Sequence, residues 1–125
     1  MLSDHQKETA VAQFKSVQKA LGAAFERLDG KSAPFVLKPW DRPPNPSGRA
    51  AGGGTMGVIR GSVVEKAGAN VSAVTGDVYP ALEGEHKDKP FFAAGISTIA
   101  HMANPHAPIA HMNVRLLEVG DTFWI

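Results

Sequence analysis

Three histidines at equal spacing, His101, His106 and His111, surround an Asn-Pro turn and are the first candidates for chemistry in this sequence. If the flanking segments pair as antiparallel strands, His101 and His111 lie opposite each other, with two imidazoles within reach of one metal ion or one substrate proton. A zinc site needs a third ligand and usually shows denser spacing. From these residues alone, structural histidines, a divalent metal site and proton transfer all stay open.

Arg49, Arg60 and Arg115 lie in or beside the same segments. A guanidinium group binds a carboxylate through two parallel hydrogen bonds, which suits a ligand that carries several carboxylates. Taken one at a time, each arginine also fits a solvated or ion-paired surface position. The residues therefore indicate anion binding or acid–base work, without naming a reaction.

A glycine run, Gly52-Gly53-Gly54-Thr55-Met56-Gly57, matches the pattern G-x-G-x-x-G. A dinucleotide-binding fold needs a strand before this motif and a helix after it, whereas here a proline-rich stretch precedes it and a β pattern follows. The run instead predicts a flexible lead into a hairpin, a segment whose backbone amides approach an anion, or a mobile loop that closes over a ligand.

Hydrophobic periodicity predicts a helix that helps to position these residues. Residues 4–29 are predicted as one amphipathic helix, with Ser3 and Gln6 as a capping box and Gly30 as its stop. The predicted apolar stripe comprises Val11, Phe14, Val17, Leu21, Phe25 and Leu28, and the predicted solvent side comprises Lys7, Lys15, Gln18 and Lys19.

After the helix the pattern is that of a β-sheet with about six strands. After a short strand candidate at 35–38, the predicted strands are 56–60, 63–66, 71–75, 91–101, 109–118 and 122–125, with 67–70 introducing the strand 71–75. Residues 39–54 are predicted as a Pro/Gly-rich loop, and 76–90 as a polar, irregular segment. Short connections favour an antiparallel meander, so we expect an α+β fold with residues 1–125 as a single domain.

Composition excludes several classes of protein. The 125 residues carry a formal net charge of +1, which argues against a strongly basic nucleic-acid binder. The absence of cysteine excludes disulfides, thiolate metal sites and cysteine nucleophiles. The sequence shows no signal-peptide pattern and no apolar run long enough to cross a bilayer, so we expect a cytoplasmic protein without a membrane span.

Several motifs in one order carry a resemblance to a known family. They are Gly52–Gly54, then 63–74 (VVEKAGANVSAV), 91–97 (FFAAGIS), 101–108 (HMANPHAP) and 111–115 (HMNVR). From about Trp40 onward, the sequence resembles the oxygen-dependent coproporphyrinogen III oxidases. The resemblance implies an enzyme of haem biosynthesis that oxidatively decarboxylates two propionates of coproporphyrinogen III to vinyl groups, which gives protoporphyrinogen IX.

The resemblance also implies roles for individual residues. His111 matches the proposed proton donor of the family, and His101 with His111 matches positions assigned to an optional divalent metal. No organic cofactor is implied, and molecular oxygen is the co-substrate. The positions that match substrate-binding residues are Ser97, Asn113, Val114 and Arg115.

At the level of the whole molecule, the resemblance implies a large antiparallel sheet flanked by helices, usually in a homodimer, with a small tetrapyrrole as ligand. Family members are much longer, and in them a glycine-rich segment with an Asp-Leu-Thr-Pro motif follows the position of Trp124. We therefore expect this chain to be the N-terminal part of a coproporphyrinogen oxidase domain. One alternative is a truncated, non-catalytic module that binds a tetrapyrrole or a partner, and another is a metal-dependent hydrolase that uses His101 and His111.

Overall fold

The computed structural model describes residues 1–80 and 83–125, in which one long helix packs on one face of a six-stranded sheet. The elements are α1 (Asp4–Leu28), β1 (Val36–Asp41), β2 (Gly52–Ile59), β3 (Val64–Gly76), β4 (Phe91–Met102), β5 (Ala110–Val119) and β6 (Thr122–Trp124), with a short 3-10 helix at Gly84–His86. Each strand pairs antiparallel with the next in sequence. The predicted α+β class and antiparallel meander are thus confirmed.

The helix begins and ends where its local chemistry predicts. Ser3 accepts a hydrogen bond from the Gln6 backbone N–H, and the Ser3 N–H donates to Gln6 Oε1, which completes the capping box. Gly30 adopts φ +71°, a left-handed conformation that costs glycine little. Within the described ranges, no helix is long and apolar enough to span a membrane.

Gln18 was expected on the solvent side of α1, and this prediction is wrong. Its side chain is buried against the sheet, where Nε2 donates to the backbone carbonyls of Thr55 and Ala69, both at 2.8 Å. Val17 and Leu28, expected in the apolar stripe, are exposed. Because the amide finds two acceptors, its burial leaves no unpaired donor. The helix residues that are buried or pack on the sheet clusters are Ala10, Val11, Phe14, Gln18, Leu21, Gly22 and Phe25.

Phe35 fills the space between helix and sheet. Its ring lies between Gly22 of α1 and Gly57 of β2, and a Cβ on either glycine would overlap a ring carbon. The ring also contacts Phe25 at a tilted angle, with 6.3 Å between the ring centroids. The missing side chains of the two glycines therefore create the space for this ring.

The first two strands are longer than predicted. Residues 39–41 belong to β1 and residues 52–54 begin β2, so the predicted loop 39–54 is reduced to 42–51. Pro39 is accommodated because β1 is an edge strand, where a missing N–H can face solvent.

The third strand is continuous. Residues 67–70, predicted to introduce a separate strand, continue β3, and the pairing with β4 is shifted between Val64 and Lys66. The segment 76–90 contains no strand beyond Gly76 among its described residues, and positions 81 and 82 of this predicted segment lie outside the described residues.

Side chains along β4 alternate between two environments. Ala94 and Ala100 belong to the hydrophobic clusters under α1, whereas Ser97 and His101 lie on the other side of the sheet, named here the open face. The register with β3 and β5 extends this division across neighbouring strands. One face of the sheet therefore forms the core, and the other is available for a ligand.

Glu118 ties the start of the helix to β5. This buried carboxylate pairs with Lys7 Nζ at 2.8 Å and accepts the Leu2 backbone N–H at 2.6 Å. Burial raises the pKa of Glu118, but the hydrogen bonds from Lys7 and Leu2 and the positive charges of Lys7 and the N-terminal ammonium outweigh burial, and the net pKa is lowered. The N-terminal turn of α1 is thereby held by the penultimate strand of the sheet.

Asp29 ties the other end of the helix to the β2–β3 hairpin. Its carboxylate accepts the Ser32 hydroxyl and the backbone N–H groups of Val63 at 2.8 Å and Val64 at 2.9 Å. The hydrogen bond from Ser32, followed by those from the two backbone groups, holds the pKa of Asp29 below its ordinary value.

Protonation of Asp29 should therefore destabilise the fold. Because its pKa is lowered on folding, the carboxylate contributes stability that is fully present above the ordinary value of 3.8 and is lost as the pH falls through the lower folded-state value. We expect Asp29→Asn to lower the Tm at pH 7 and to reduce the further loss of Tm on acidification. Thermal unfolding followed by circular dichroism between pH 7 and pH 2.5 measures both, with Asp41→Asn on the exposed edge strand as control. Parallel curves for wild type and Asp29→Asn would contradict this account.

Candidate functional site

Two rows of residues cross the open face from β1 to β5. Directly paired residues on antiparallel strands project to the same side of a sheet, so a row of successive pairs forms one continuous line of side chains. The first row is Trp40, Gly54, Ser72, Gly95 and Arg115, and the second is Lys38, Met56, Asn70, Ser97 and Asn113. The rows bring hydroxyl, amide and cationic groups from distant parts of the sequence to one surface.

An open groove of about 390 Å³ follows these rows. Three of the residues predicted to bind substrate, Ser97, Asn113 and Arg115, line it together. Its full lining is Trp40, Met56, Asn70, Ser72, Gly95, Ile96, Ser97, Asn113 and Arg115.

Glycines allow long side chains to lie across the floor of the groove. A Cβ on Gly54 would come within 2.7 Å of the Trp40 indole, and one on Gly95 would come within 3.1 Å of Arg115 Cγ. Both distances are shorter than ordinary van der Waals contact, so the tryptophan and the arginine occupy space that any other residue would need.

The glycine run Gly52–Gly54 is paired on both sides rather than mobile. It lies between β1 and residues 72–74 of β3, so the predicted flexible lead or mobile loop is wrong. The absence of a side chain at these positions makes room for Trp40. Gly54 leaves space for the indole ring, and Gly53 leaves space for the Trp40 carbonyl.

Arg115 is the arginine that lies in the groove. Arg49 donates to the Gly76 carbonyl at 2.9 Å and lies 3.7 Å from Asp77, where it helps to hold the 42–51 loop. Arg60 follows the end of β2 and is exposed. Arg115 is exposed and takes part in no ion pair among the described residues. Its guanidinium group is therefore available to an anionic ligand.

His101 and His111 share the open face, but they do not lie directly opposite each other. His111 pairs with Ile99, so His101 and His111 are diagonal neighbours, for which the Cα–Cα distance is typically about 7–8 Å. The predicted direct opposition is wrong by two residues of register. His106 lies in the exposed turn, where its backbone N–H donates to Asn104 Oδ1 at 2.9 Å.

The ring of His111 is held by the backbone. Its Nδ1 lies 2.9 Å from the carbonyl oxygen of Thr98. Since a carbonyl only accepts, Nδ1 carries the hydrogen and Nε2 is the nitrogen left for a ligand. Any proton that His111 exchanges with a ligand is therefore carried by Nε2.

The optional divalent metal stays a prediction. Within residues 1–80 and 83–125, no three His, Cys, Asp or Glu side chains are grouped closely enough to hold an ion. His101 and His111 supply at most two imidazoles, whereas protein zinc sites use three or four protein ligands.

Val114 differs from the other predicted substrate-binding residues. It pairs with Ile96 on the helix side of the sheet, so its side chain projects away from the groove. Its carbonyl oxygen lies beside Gly95, within 2.6 Å of where a Cβ would stand. Any contribution of Val114 to the groove is therefore made by its main chain.

Sequence reasoning missed the β1–β3 side of the groove. The one available signal was the alternation of Asn70 and Ser72 with small apolar residues, but the predicted break at 67–70 concealed it. The lining residues that were not predicted are Trp40, Met56, Asn70, Ser72, Gly95 and Ile96.

The geometry of the floor makes Gly95→Ala a costly substitution. The new Cβ would crowd the Val114 carbonyl and Arg115, and such overpacking typically costs about 1–3 kcal/mol of unfolding free energy. Gly68→Ala is the matched control, because a Cβ there, on the same face, has its nearest neighbour at 3.6 Å. Urea unfolding of both variants measures the difference, and equal stabilities would show that the floor is not tightly packed.

Comparisons with known proteins identify relatives of this chain. The profile of the family described as coproporphyrinogen III oxidase matches residues 9–125. Proteins named oxygen-dependent coproporphyrinogen-III oxidase from Rickettsia rickettsii (strain Sheila Smith) and Rickettsia felis are 32% and 33% identical over 130 residues, covering 94% of this chain and 44% of theirs. The protein of the same name from Rickettsia bellii (strain OSU 85-389) is 33% identical over 122 residues, covering 94% and 40%. The chain thus spans less than half the length of these relatives.

Proposed function

This chain belongs to the coproporphyrinogen III oxidase family, and we propose that the groove on its open face binds coproporphyrinogen III for oxidative decarboxylation of two propionates. The single observation that supports this most is the convergence of Ser97, Asn113 and Arg115 in one groove. The substrate's propionates need cationic and hydrogen-bonding partners, and Arg115, which has no ion pair within residues 1–80 and 83–125, supplies them together with a hydroxyl and an amide.

The reaction requires the protein to orient the substrate and to transfer protons. Each propionate becomes a vinyl group by losing carbon dioxide, one proton and two electrons. Dioxygen, the expected co-substrate, takes up the two electrons and two protons and forms hydrogen peroxide; one proton is the one that the propionate side chain releases and the other comes from solvent, which balances the step. An electron-rich pyrrole can react with oxygen itself, so no flavin or nicotinamide is required.

His111 is the proposed proton donor, acting through Nε2 while the Thr98 carbonyl accepts the hydrogen bond from Nδ1. The homodimer and the cytoplasmic location stay predictions.

Removal of the groove's cation should weaken ligand binding. Coproporphyrin III, the stable oxidised form of the substrate, retains all four propionates and serves as the probe. Arg115→Ala should weaken its binding roughly 10- to 100-fold, as expected for loss of a hydrogen-bonded charge. Fluorescence titration measures the change, with Arg60→Ala as the matched control on the exposed end of β2. If both variants bound alike, Arg115 would not be the anion partner.

His111 should affect turnover rather than binding. His111→Ala should lower the rate of product formation roughly 100-fold or more while leaving coproporphyrin affinity nearly unchanged. An aerobic assay with coproporphyrinogen III, read as protoporphyrin fluorescence after oxidation of the product, measures this rate.

The turnover assay and the coproporphyrin titration together distinguish an enzyme from a non-catalytic binding module for the 125-residue chain. Product formation by the wild type, lost in His111→Ala, would support catalysis by this groove. Binding without product would favour the alternative of a non-catalytic tetrapyrrole-binding module. No binding by a folded wild-type chain would contradict both.

A further inference from the structure

We infer that Trp40 is a positioning residue of the groove, which stacks its indole on one pyrrole ring of the bound tetrapyrrole while Arg115 holds a propionate. This inference rests on the proposed function and adds a residue and a contact to it. Trp40 carries no charge and transfers no proton in the reaction. Its role is to set which part of the ligand faces the polar end of the groove.

The groove has an apolar end and a polar end. Trp40 and Met56, on β1 and β2, are its large apolar side chains, and Asn113 and Arg115, on β5, lie at the other end. A ligand that fits this arrangement carries a flat apolar ring at one side and a charged arm at the other. A pyrrole that bears a propionate has this shape, whereas a purely polar anion would leave the indole without a partner.

The spacing of the row agrees with such a ligand. The indole lies over Gly54 and the arginine stem over Gly95, and these two glycines are separated by one strand, at Ser72. Two strand spacings amount to about 10 Å. A ring with a three-carbon acidic side chain spans a gap of this order, with Ser72 as the floor between them.

Trp40 differs from the other tryptophan of the chain in its surroundings. Both are partly exposed, at 39% for Trp40 and 43% for Trp124. Trp124 also projects to the open face, through its pairing with Leu117, but its ring meets His86 edge-on, with 5.4 Å between centroids. Among the described residues, Trp40 has no aromatic partner, and Gly54 supports it from one side. Its free ring surface is therefore available to a ligand.

The test uses the full 125-residue chain with coproporphyrin III as the probe. Trp40→Leu should weaken binding roughly tenfold through loss of ring stacking, and Trp40→Phe should restore most of the affinity. Trp124→Leu makes the same change on the same face outside the groove, and it should bind like the wild type. Far-UV circular dichroism of each variant checks that the sheet is retained.

A spectroscopic readout distinguishes stacking from a structural role. An indole held against the macrocycle should induce circular dichroism in the Soret band of the bound porphyrin, and this signal should be lost in Trp40→Leu and kept in Trp124→Leu.

The outcomes separate the two levels of the proposal. Wild-type binding with an unchanged affinity and Soret signal in Trp40→Leu would overturn the role of Trp40 alone. Equal weakening in Trp40→Leu and Trp40→Phe would also overturn stacking, because the phenyl ring retains a π-face. If the wild type itself bound no coproporphyrin, the proposed function would fail first. If Trp40→Leu lost the sheet, Trp40→Phe and its Soret signal would decide the question.

Discussion

The alternation of side chains along β4 is the constraint on which the rest of the structure depends. This strand is hydrogen-bonded on both sides, so its register fixes which residues of β3 and β5 face the helix and which face the groove. A slip of one residue would bury Ser97 under α1 and turn the Ile96 side chain, now in the core, to the open face. Core and site are therefore specified by the same pairing, and neither can be moved along the strand without the other.

Small residues make both faces possible. On the helix side, alanines such as Ala67, Ala69 and Ala100 keep α1 close enough for Gln18 to reach the backbone of two strands. On the open face, Gly54 and Gly95 let longer side chains lie flat across the strands. Small residues thus recur on both faces of the central strands, and Trp40 and Arg115 reach into the groove from β1 and β5.

The sequence allowed the class of fold to be predicted because helix and strand periodicities are strong local signals. Ser3, Gln6 and Gly30 specify the ends of α1 by contacts within a few residues, and they were predicted well. The glycine run was misjudged because glycine in a strand is disfavoured locally, and only the neighbouring Trp40 explains it.

For the site, Ser97, Asn113 and Arg115 came from resemblance to a family, and the structure brings them together. The relation between His101 and His111 was misjudged because register depends on the length of the turn between them, which periodicity does not define. Gln18 was placed on the wrong side because its burial depends on two carbonyls at a distance of 37 and 51 residues along the chain.

The contact between Glu118 and the start of α1 has a consequence for the order of assembly. A meander joins each strand to the one made just before it, so the sheet can grow hairpin by hairpin during synthesis. The end of α1 near Asp29 finds its partners in the β2–β3 hairpin early. The beginning of the helix can dock only after β5 has formed, because Lys7 and Leu2 contact Glu118, more than 100 positions later in the chain. The N-terminal half of α1 is thus completely docked only after β5 has paired, and until then Ala10, Val11 and Phe14 lack Leu116, a β5 member of the cluster on which they pack.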